Sequence, residues 1–345
     1  MVVPKGKTFL LKSIEFSGPC VTRNIVVQIS GTIVGPLTLK EWGWPNFINK
    51  WIVFKNVDGL TVQGRGIIDG RGNCWWENSC HNSKHRNRPG CSQSQPHSVN
   101  FVATSNSQLK DVTVTNSPMF HVTLLDLSNF NITNLKVDSP EESPNTDGLH
   151  TQSVENVSIR NSYFRSGDDC VSVGNSSFHV YINDCHCGPG HGISIGSLGE
   201  LGNRAEVKEI HVQRVNFFGT MNGVRIKTWH GGQGECHSIS FKHSNFTNVM
   251  NPLLIDQHYF AESAKETSAV KISNITYENL HGTTNILTPS AINLGCSRLV
   301  SCTGLYFNNI FFTPARNSVK LKSTCINAKG KTWGRIEPPL SCLNH

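Results

Sequence analysis

Short segments in which apolar and polar residues alternate recur along most of the chain. Alternation with period two is typical of β-strands that bury one face, and helical periodicity is nearly absent. The first residues of successive segments are separated by 23, 22, 23, 30, 29, 36 and 30 positions. The clearest segments have an apolar residue at the first and third positions and any residue between them, and they cover residues 112–114, 135–137, 157–159, 180–182, 210–212, 239–241, 275–277 and 305–307.

The regular spacing predicts a solenoid in which each repeat is one coil. A period of 22 or 23 residues that lengthens later in the chain is typical of a stacked repeat with added loops. We therefore predict an all-β chain that folds as one parallel β-helix domain over residues 1–345. Residues 51–70 form the first clear coil of this prediction, and residues 74–95 a loop held by disulfides. A β-sandwich would require two-residue hairpin turns, and a propeller a longer repeat; these remain the alternative folds.

Four polar triplets occur at a repeating position just ahead of predicted strands. The apolar residues that open three of these strands, at positions 149, 171 and 193, are 22 residues apart. Asp147, Asp169 and His191 each come two residues earlier, so stacked coils about 4.8 Å apart would bring them together. Asp168 lies one residue out of this register. The triplets are Asn145-Thr146-Asp147, Gly167-Asp168-Asp169, Gly190-His191-Gly192 and Arg225-Ile226-Lys227.

The clustered carboxylates suggest acid–base chemistry. Two carboxylates about 5 Å apart repel by roughly 3 kcal/mol at an effective dielectric constant near 20, which favours keeping one proton in the cluster. A protonated acid beside ionised carboxylates is what glycoside hydrolysis requires, since one group protonates the leaving oxygen while another activates water. The alternative is that Asp147 and Asp168 form turns and that His191 is an ordinary loop residue.

Arg225 and Lys227 alternate with apolar residues and are predicted to point away from the core on one face. They suit a carboxylate of the substrate, Arg225 as a bidentate fork and Lys227 as a point charge. The alternative is an ordinary solvated face. The chain has 31 Lys and Arg against 24 Asp and Glu, a formal net charge of +7, which favours an anionic partner: an acidic polysaccharide, a nucleic acid or a membrane surface.

Cysteines and glycosylation sequons indicate a secreted protein. The chain has twelve cysteines, an even number that suits disulfides in an oxidising compartment. The spacing in Cys185-His186-Cys187 is too tight for zinc, so no metal site is predicted. No run of 18 apolar residues predicts a transmembrane helix, and no signal peptide is visible at the start. Candidate glycosylation sites are Asn131, Asn156, Asn175, Asn245 and Asn274.

The four triplets, with Cys170 after the second and Gly188-Pro189 before the third, resemble in order and spacing the signature motifs of the plant polygalacturonases. These pectin-hydrolysing glycosidases fold as a right-handed parallel β-helix, and the resemblance covers nearly the whole chain. It implies inverting hydrolysis of α-1,4 bonds between galacturonic acid residues. The implied roles are general acid for Asp168, activation of water for Asp147 and Asp169, support of the acid for His191, and substrate binding for Asn145, Arg225, Lys227 and Tyr259.

The same resemblance implies an anionic polysaccharide as partner, with no nucleic acid, membrane or cofactor, and a monomer secreted to the cell wall. It implies disulfides between Cys170 and Cys187, Cys296 and Cys302, and Cys325 and Cys342. Family members usually carry a capping coil ahead of the segment that resembles residues 3–7, and we expect this chain to lack that coil. A pectate lyase and a non-catalytic pectin-binding β-helix remain the alternative functions.

Overall fold

The computed structural model of the protein describes residues 1–46, 48–82, 90–259, 268–287, 290–316 and 320–343. The chain divides into two compact units, Met1–Val171 and Ser172–His345. In both units the described residues are mainly short parallel β-strands. The prediction of an all-β parallel β-helix is therefore confirmed, while the prediction of a single domain over 1–345 stays a prediction.

The first unit winds through three parallel ladders. Some coils contribute a separate strand to each ladder, whereas the long strands Val122–Thr133 and Leu149–Arg160 each extend through two ladders. The coil of β6, β7 and β8 is followed by the coil of β9, β10 and β11, and the register is parallel throughout. Two short helices, α1 (Leu39–Trp42) and α2 (Asn73–Trp76), lie in the connections of this unit. Its strands are β1 Val2–Val3, β2 Thr8–Leu10, β3 Ile14–Ser17, β4 Ile25–Ile29, β5 Thr32–Val34, β6 Lys50–Lys55, β7 Leu60–Gln63, β8 Ile67–Asp69, β9 His97–Val102, β10 Ser107–Lys110, β11 Thr113–Thr115, β12 Val122–Thr133, β13 Lys136–Asp138, β14 Leu149–Arg160 and β15 Tyr163–Arg165, with β16 Val171–Val173 at the boundary.

The second unit repeats this winding with longer strands. One ladder runs through β19, β22, β24, β26 and β28, and another through β17, β20, β23, β25, β27 and β29. A short 3₁₀ helix covers Glu200–Gly202. The strands are β17 Ser177–Asn183, β18 His186–Cys187, β19 Ile193–Leu198, β20 Arg204–Gln213, β21 Asn216–Phe218, β22 Asn222–Trp229, β23 Gln233–Val249, β24 Asn251–Tyr259, β25 Lys271–Thr284, β26 Ser290–Gly295, β27 Cys302–Thr313, β28 Lys322–Ile326 and β29 Ala328–Glu337.

The predicted strand spacing is correct in the second unit and wrong at one step in the first. Ile210 pairs with Val180 and Ile239, at the predicted separations of 30 and 29 residues. The segments at 135–137 and 157–159, however, do not pair: Val137 pairs with Phe164, whereas Ile159 pairs with Ile132. The error has a physical reason, because all faces of a coil show the same alternation and a period near 22 can align strands of different ladders.

Aromatic residues contact one another from coil to coil. In the first unit the half-buried Phe16 and the buried Phe54 and Phe101 occupy paired positions of successive coils, with ring centroids 5.4 Å apart at both steps. Phe130, from a different ladder, tilts against Phe101 at 4.8 Å. The spacing follows from the distance between parallel strands, which places identical positions of neighbouring coils in contact. The core therefore fixes the first residue of each strand at an equivalent position in successive coils. The predicted site residues lie just ahead of these strand starts.

Asparagines form a second type of ladder at the outward turns. Asn106, Asn129 and Asn156 all have positive φ, between 52° and 56°, a conformation that asparagine tolerates better than most residues. The Asn129 amide donates to the Asn106 side-chain oxygen at 3.1 Å, and the Asn156 amide to that of Asn129 at 3.2 Å. Asparagine at these positions therefore both tolerates the positive φ and links one coil to the next by a hydrogen bond.

The predicted loop at 74–95 contains α2 and a disulfide between Cys80 and Cys91. Trp75 is fully buried, and its ring meets those of Trp42 and Trp44 at centroid distances of 6.1 and 5.9 Å. These described parts of the loop are therefore anchored by aromatic packing in addition to the disulfide.

Candidate active site

The turn that carries Asn145 and Asp147 comes just before β14. Asn145 has φ of 55°, which turns the chain sharply into the strand. The Thr146 hydroxyl oxygen lies 2.7 Å from the Ser143 hydroxyl and accepts the Gly167 N–H at 3.0 Å. Thr146 therefore connects the first acidic turn directly to the second one, which Gly167 opens.

Backbone hydrogen bonds place Asp147 and Asp169 at equivalent positions of neighbouring coils. The Gly148 N–H donates to the Asp169 carbonyl at 2.9 Å, and the Leu149 N–H to the Cys170 carbonyl at 3.1 Å. This is the register that the 22-residue period predicts. A Cβ atom on Gly148 would lie 2.5 Å from the Cys170 carbonyl oxygen, so the close approach of the two coils requires glycine here.

The aspartates differ in their exposure. Asp147 and Asp169 are buried, at 5% and 1% exposure, whereas Asp168 is partly exposed. One carboxylate oxygen of Asp168 lies within 4.8 Å of one of Asp169. An oxygen of Asp168 also accepts the Asp169 N–H at 2.8 Å. Asp168 is therefore the carboxylate of the three that a solvent-borne ligand can reach most easily.

A buried histidine that sequence reasoning missed holds the backbone of Asp147. Both the backbone N–H and Nδ1 of His121 lie within hydrogen-bond distance of the Asp147 carbonyl oxygen, at 2.8 and 2.9 Å. Its Nε2 lies 2.6 Å from the Ser139 hydroxyl. Because a carbonyl can only accept, Nδ1 carries the proton and Nε2 accepts from Ser139. Burial lowers the pKa of His121 to about 4, so the ring is neutral at neutral pH.

The sequence offers only a weak signal for His121. It stands one residue ahead of Val122, which pairs with Leu149 in the next coil. Correct alignment of these coils would have placed His121 beside Gly148, but the 27-residue step between them is not one of the predicted spacings. His121 contacts the peptide of Asp147 and is therefore a positioning residue.

In the second unit, His191 lies in the connection that leads into β19. Its flanking residues Gly190 and Gly192 have φ of 148° and 86°, and a Cβ atom on Gly192 would lie 2.1 Å from the Asn222 carbonyl oxygen. The Asn222 side-chain amide donates to the His191 carbonyl at 3.1 Å. Glycines on both sides thus allow the turn that presents a half-buried imidazole.

Arg225 and Lys227 lie on β22 and are both only 8% exposed. Val224 and Ile226 fill the core beside them, at 1% and 0% exposure, as their alternation predicts. The Arg225 Nε donates to the Ser194 hydroxyl at 2.9 Å, which orients the guanidinium. Burial to this degree is unusual for cations, so an ordinary solvated face does not describe these two side chains.

Tyr259 ends β24 next to Lys227. The Lys227 Nζ lies 5.3 Å from the centroid of the Tyr259 ring, within the range of a cation–π interaction. The structure therefore brings together three of the predicted substrate-binding residues within the second unit, Arg225, Lys227 and Tyr259. Within the first unit it brings together the three aspartates.

Two of the three disulfides that the resemblance implies are formed in the structure. Cys296 bonds to Cys302, and Cys325 to Cys342; the pairing of Cys170 with Cys187 stays a prediction. None of the helices that the structure describes has the length and apolar character needed to span a membrane.

The candidate glycosylation sites differ in access. Asn131, Asn156, Asn245 and Asn274 are exposed, and Asn175 is partly buried. The Asn156 and Asn245 amides donate to the neighbouring asparagines Asn129 and Asn216. Glycosylation of these residues stays a prediction.

A cavity of about 300 Å³ lies away from the acids, among apolar residues of the first strands such as Phe9, Ile14 and Phe54. Its lining side chains carry no titratable group, so it offers no carboxyl group for acid–base chemistry. Asp168 and Asp169 offer oxygen ligands, but two carboxylates supply only part of the six to eight oxygens that calcium takes. The absence of a metal or cofactor stays a prediction.

Comparison with known proteins identifies close relatives. The family model described as glycosyl hydrolases family 28 matches residues 1–334. Polygalacturonase QRT2 of Arabidopsis thaliana is 38% identical over 98% of this chain and 76% of its own length. A polygalacturonase of Malus domestica is 39% identical over 98% of this chain and 71% of its own length. The crystal structure of endo-xylogalacturonan hydrolase from Aspergillus tubingensis is similar in fold, with a TM-score of 0.77 at 21% identity over 96% of this chain and 91% of that one.

Proposed function

The chain belongs to family 28 of the glycosyl hydrolases, and we propose that it hydrolyses the α-1,4 bonds between galacturonic acid residues in homogalacturonan, the acidic backbone of pectin. It is a glycoside hydrolase of the polygalacturonase type. The net charge of +7 supports an anionic substrate, because opposite charge speeds encounter. Asn145 and the second-unit residues Arg225, Lys227 and Tyr259 are proposed to bind the substrate.

We propose that Asp168 protonates the leaving oxygen while Asp147 and Asp169 bind and activate water. The partial exposure of Asp168 supports its role, since the acid must reach the glycosidic oxygen. The burial of Asp147 and Asp169 supports theirs, because carboxylates fixed by the coil backbone hold a water in one place. Hydrolysis with inversion needs a protonated acid on one face of the sugar and a carboxylate base that activates water on the opposite face. His191 is proposed to support the ionisation of the acid.

Arg225 and Lys227 are proposed to recognise a galacturonate carboxylate. A guanidinium oriented by Ser194 can form two parallel bonds to a carboxylate, while the lysine adds a point charge. Both cations lie in a largely covered environment, where the interaction with an anion is stronger than at an open surface. A neutral polysaccharide would offer no carboxylate for this pair of cations to bind, which favours the acidic substrate.

Secretion is proposed on the basis of the cysteines. The Cys80–Cys91, Cys296–Cys302 and Cys325–Cys342 disulfides suit an oxidising, extracellular compartment. We propose the plant cell wall as the site of action. The protein is proposed to work as a monomer without a cofactor.

The observation that carries the proposal is the acidic turn pair, in which Asp147 and Asp169 occupy equivalent positions and an Asp168 oxygen lies within 4.8 Å of one of Asp169. The test is release of reducing ends from polygalacturonate by the purified protein. We expect Asp168→Asn to lower kcat by about 100- to 10,000-fold, the range that general acid catalysis contributes.

The matched control is Asp126→Asn, which makes the same change at an exposed residue of β12 with φ of 53°. It should retain wild-type activity, because asparagine tolerates this conformation. A folded wild-type protein that releases no reducing ends would contradict the hydrolase proposal. Release of unsaturated products, blocked by a chelator, would support a calcium-dependent lyase.

A further inference from the structure

A line of basic and aromatic residues extends from Asp147 toward earlier coils of the first unit. Lys50 pairs with His97 across β6 and β9. The pairings of Val99 with Val122 and of Val122 with Leu149 place His97 beside Phe120, and Phe120 beside Asp147. Since parallel strands lie about 4.8 Å apart, Lys50 is about 14 Å from Asp147, three coils away.

Ring contacts fix the middle of this line. The His97 and Phe120 ring centroids are 4.6 Å apart, and those of Phe120 and His150 are 5.1 Å apart. All three side chains are partly exposed. The two imidazoles thus flank one aromatic ring on a surface that solvent reaches.

The line is electropositive and has an unused hydrogen-bonding atom. The pKa of His97 is lowered to about 3, mainly by burial and further by the nearby positive groups His150 and Lys50. No carboxylate opposes this shift. Among the described residues, Lys50 makes no ion pair. Nδ1 of His97 is buried and has no hydrogen-bond partner within the described part of the chain. An anion would supply the missing counter-charge.

We propose that Lys50 and His97, three and two coils from Asp147, form an additional subsite that binds a carboxylate of a uronic acid polymer. His150, in the coil of Asp147 itself, borders this subsite across the Phe120 ring. This inference rests on the proposed function, because the polymer is its substrate. The Lys50 ammonium would attract the carboxylate, and imidazole N–H groups would donate to its oxygens. The exposed edge of Phe120 would contact the apolar face of a sugar between them.

The subsite predicts a dependence on substrate length. A trimer cleaved between two of its residues extends at most two residues toward Lys50, whereas an octamer can reach it. We expect Lys50→Met to raise KM for octagalacturonate about fivefold, the value of one exposed ion pair, with kcat unchanged. KM for trigalacturonate should stay at the wild-type value.

Two further variants separate binding from folding. Lys55→Met removes an exposed lysine at the other end of β6 from Lys50. It should leave the KM values for both trigalacturonate and octagalacturonate unchanged. His97→Phe keeps a ring against Phe120 but removes the nitrogens, so it should raise KM for the octamer in the same direction as Lys50→Met. A Lys50→Met effect that is equal for trimer and octamer, or absent for both, would overturn the subsite while leaving the hydrolase proposal intact.

Binding to the Asp168→Asn protein, measured by calorimetry, tests the subsite independently of turnover. In this background Lys50→Met should weaken octagalacturonate binding about fivefold, and the loss should shrink at high salt. An octamer whose carboxylates have been reduced to alcohols should bind both proteins equally. Equal binding of the acidic octamer with and without Lys50 would contradict the subsite. Failure of wild-type protein to cleave any galacturonate, by contrast, would contradict the proposed function.

Discussion

Replacing His121 with phenylalanine removes two buried hydrogen bonds while nearly conserving ring volume. The Ser139 hydroxyl loses its acceptor, and the Asp147 carbonyl keeps the backbone N–H of residue 121 but loses the imidazole. An unsatisfied buried polar group costs about 1–3 kcal/mol. We therefore expect the variant to be about 2–3 kcal/mol less stable than wild type at pH 7.5.

The difference should shrink in acid. Burial lowers the pKa of His121 from its ordinary value of 6.5 to about 4, so between these values the unfolded chain binds a proton that the folded protein does not. Wild-type stability therefore falls as pH drops below about 6.5, by about 1.4 kcal/mol for each unit of pH until the folded-state pKa is reached. The Phe variant has no such group, and at pH 4.5 the gap of 2–3 kcal/mol should nearly close.

The assay is reversible urea unfolding of both proteins at pH 7.5 and pH 4.5. His97, whose pKa is lowered to about 3, titrates in both proteins and cancels in the difference. His281→Phe, at an exposed position of β25, is the control and should show the same small difference at both pH values. If the difference in free energy of unfolding between wild type and His121→Phe did not change with pH, His121 could not be a buried, neutral histidine that contacts the Asp147 backbone.

Three further predictions concern the turns and the cation site. Gly167→Ala would place a Cβ atom 1.8 Å from the Ser143 carbonyl oxygen. We expect this variant to lose more than about 3 kcal/mol of unfolding free energy or to fail to fold. A melting curve equal to that of wild type, measured by circular dichroism, would contradict this expectation. Asn129→Ala removes the two hydrogen bonds of the Asn129 side chain and places alanine at φ of 55°. It should lower the free energy of unfolding in urea by about 2–4 kcal/mol. Asn129→Gly, which tolerates positive φ, should lower it less. Lys227→Met should raise KM for polygalacturonate about tenfold in a reducing-end assay, and an unchanged KM would argue against carboxylate binding by Lys227.

The sequence predicts the fold class and the register of the acids because both depend on local alternation. Leu149 follows Asp147 by two residues, and Val171 follows Asp169 by two, and the structure pairs these positions as the 22-residue period requires. The pattern also predicts the burial of Val224 and Ile226. It cannot predict that Arg225 and Lys227 are themselves largely covered, since alternation reports which way a residue points and gives no measure of what lies above it.

Other features depend on coil lengths that the pattern does not show. The 27-residue step from Val122 to Leu149 lies between coils whose strands look alike, so the role of His121 was missed and residues 135–137 were matched to the wrong ladder. The line from Lys50 to Asp147 was missed for a related reason: 47 residues separate Lys50 from His97, because the loop that contains α2 lies between them. Only the paired strands show that the two residues are neighbours.

The most direct test of the central proposal is the anomeric configuration of the first product formed from an oligogalacturonate, followed by proton NMR during the earliest turnovers. Inverting hydrolysis of an α-1,4 bond by Asp168, Asp147 and Asp169 predicts a saturated product whose new reducing end is the β-anomer. An initial α-anomer would contradict the single-displacement mechanism, and an unsaturated product would contradict hydrolysis itself.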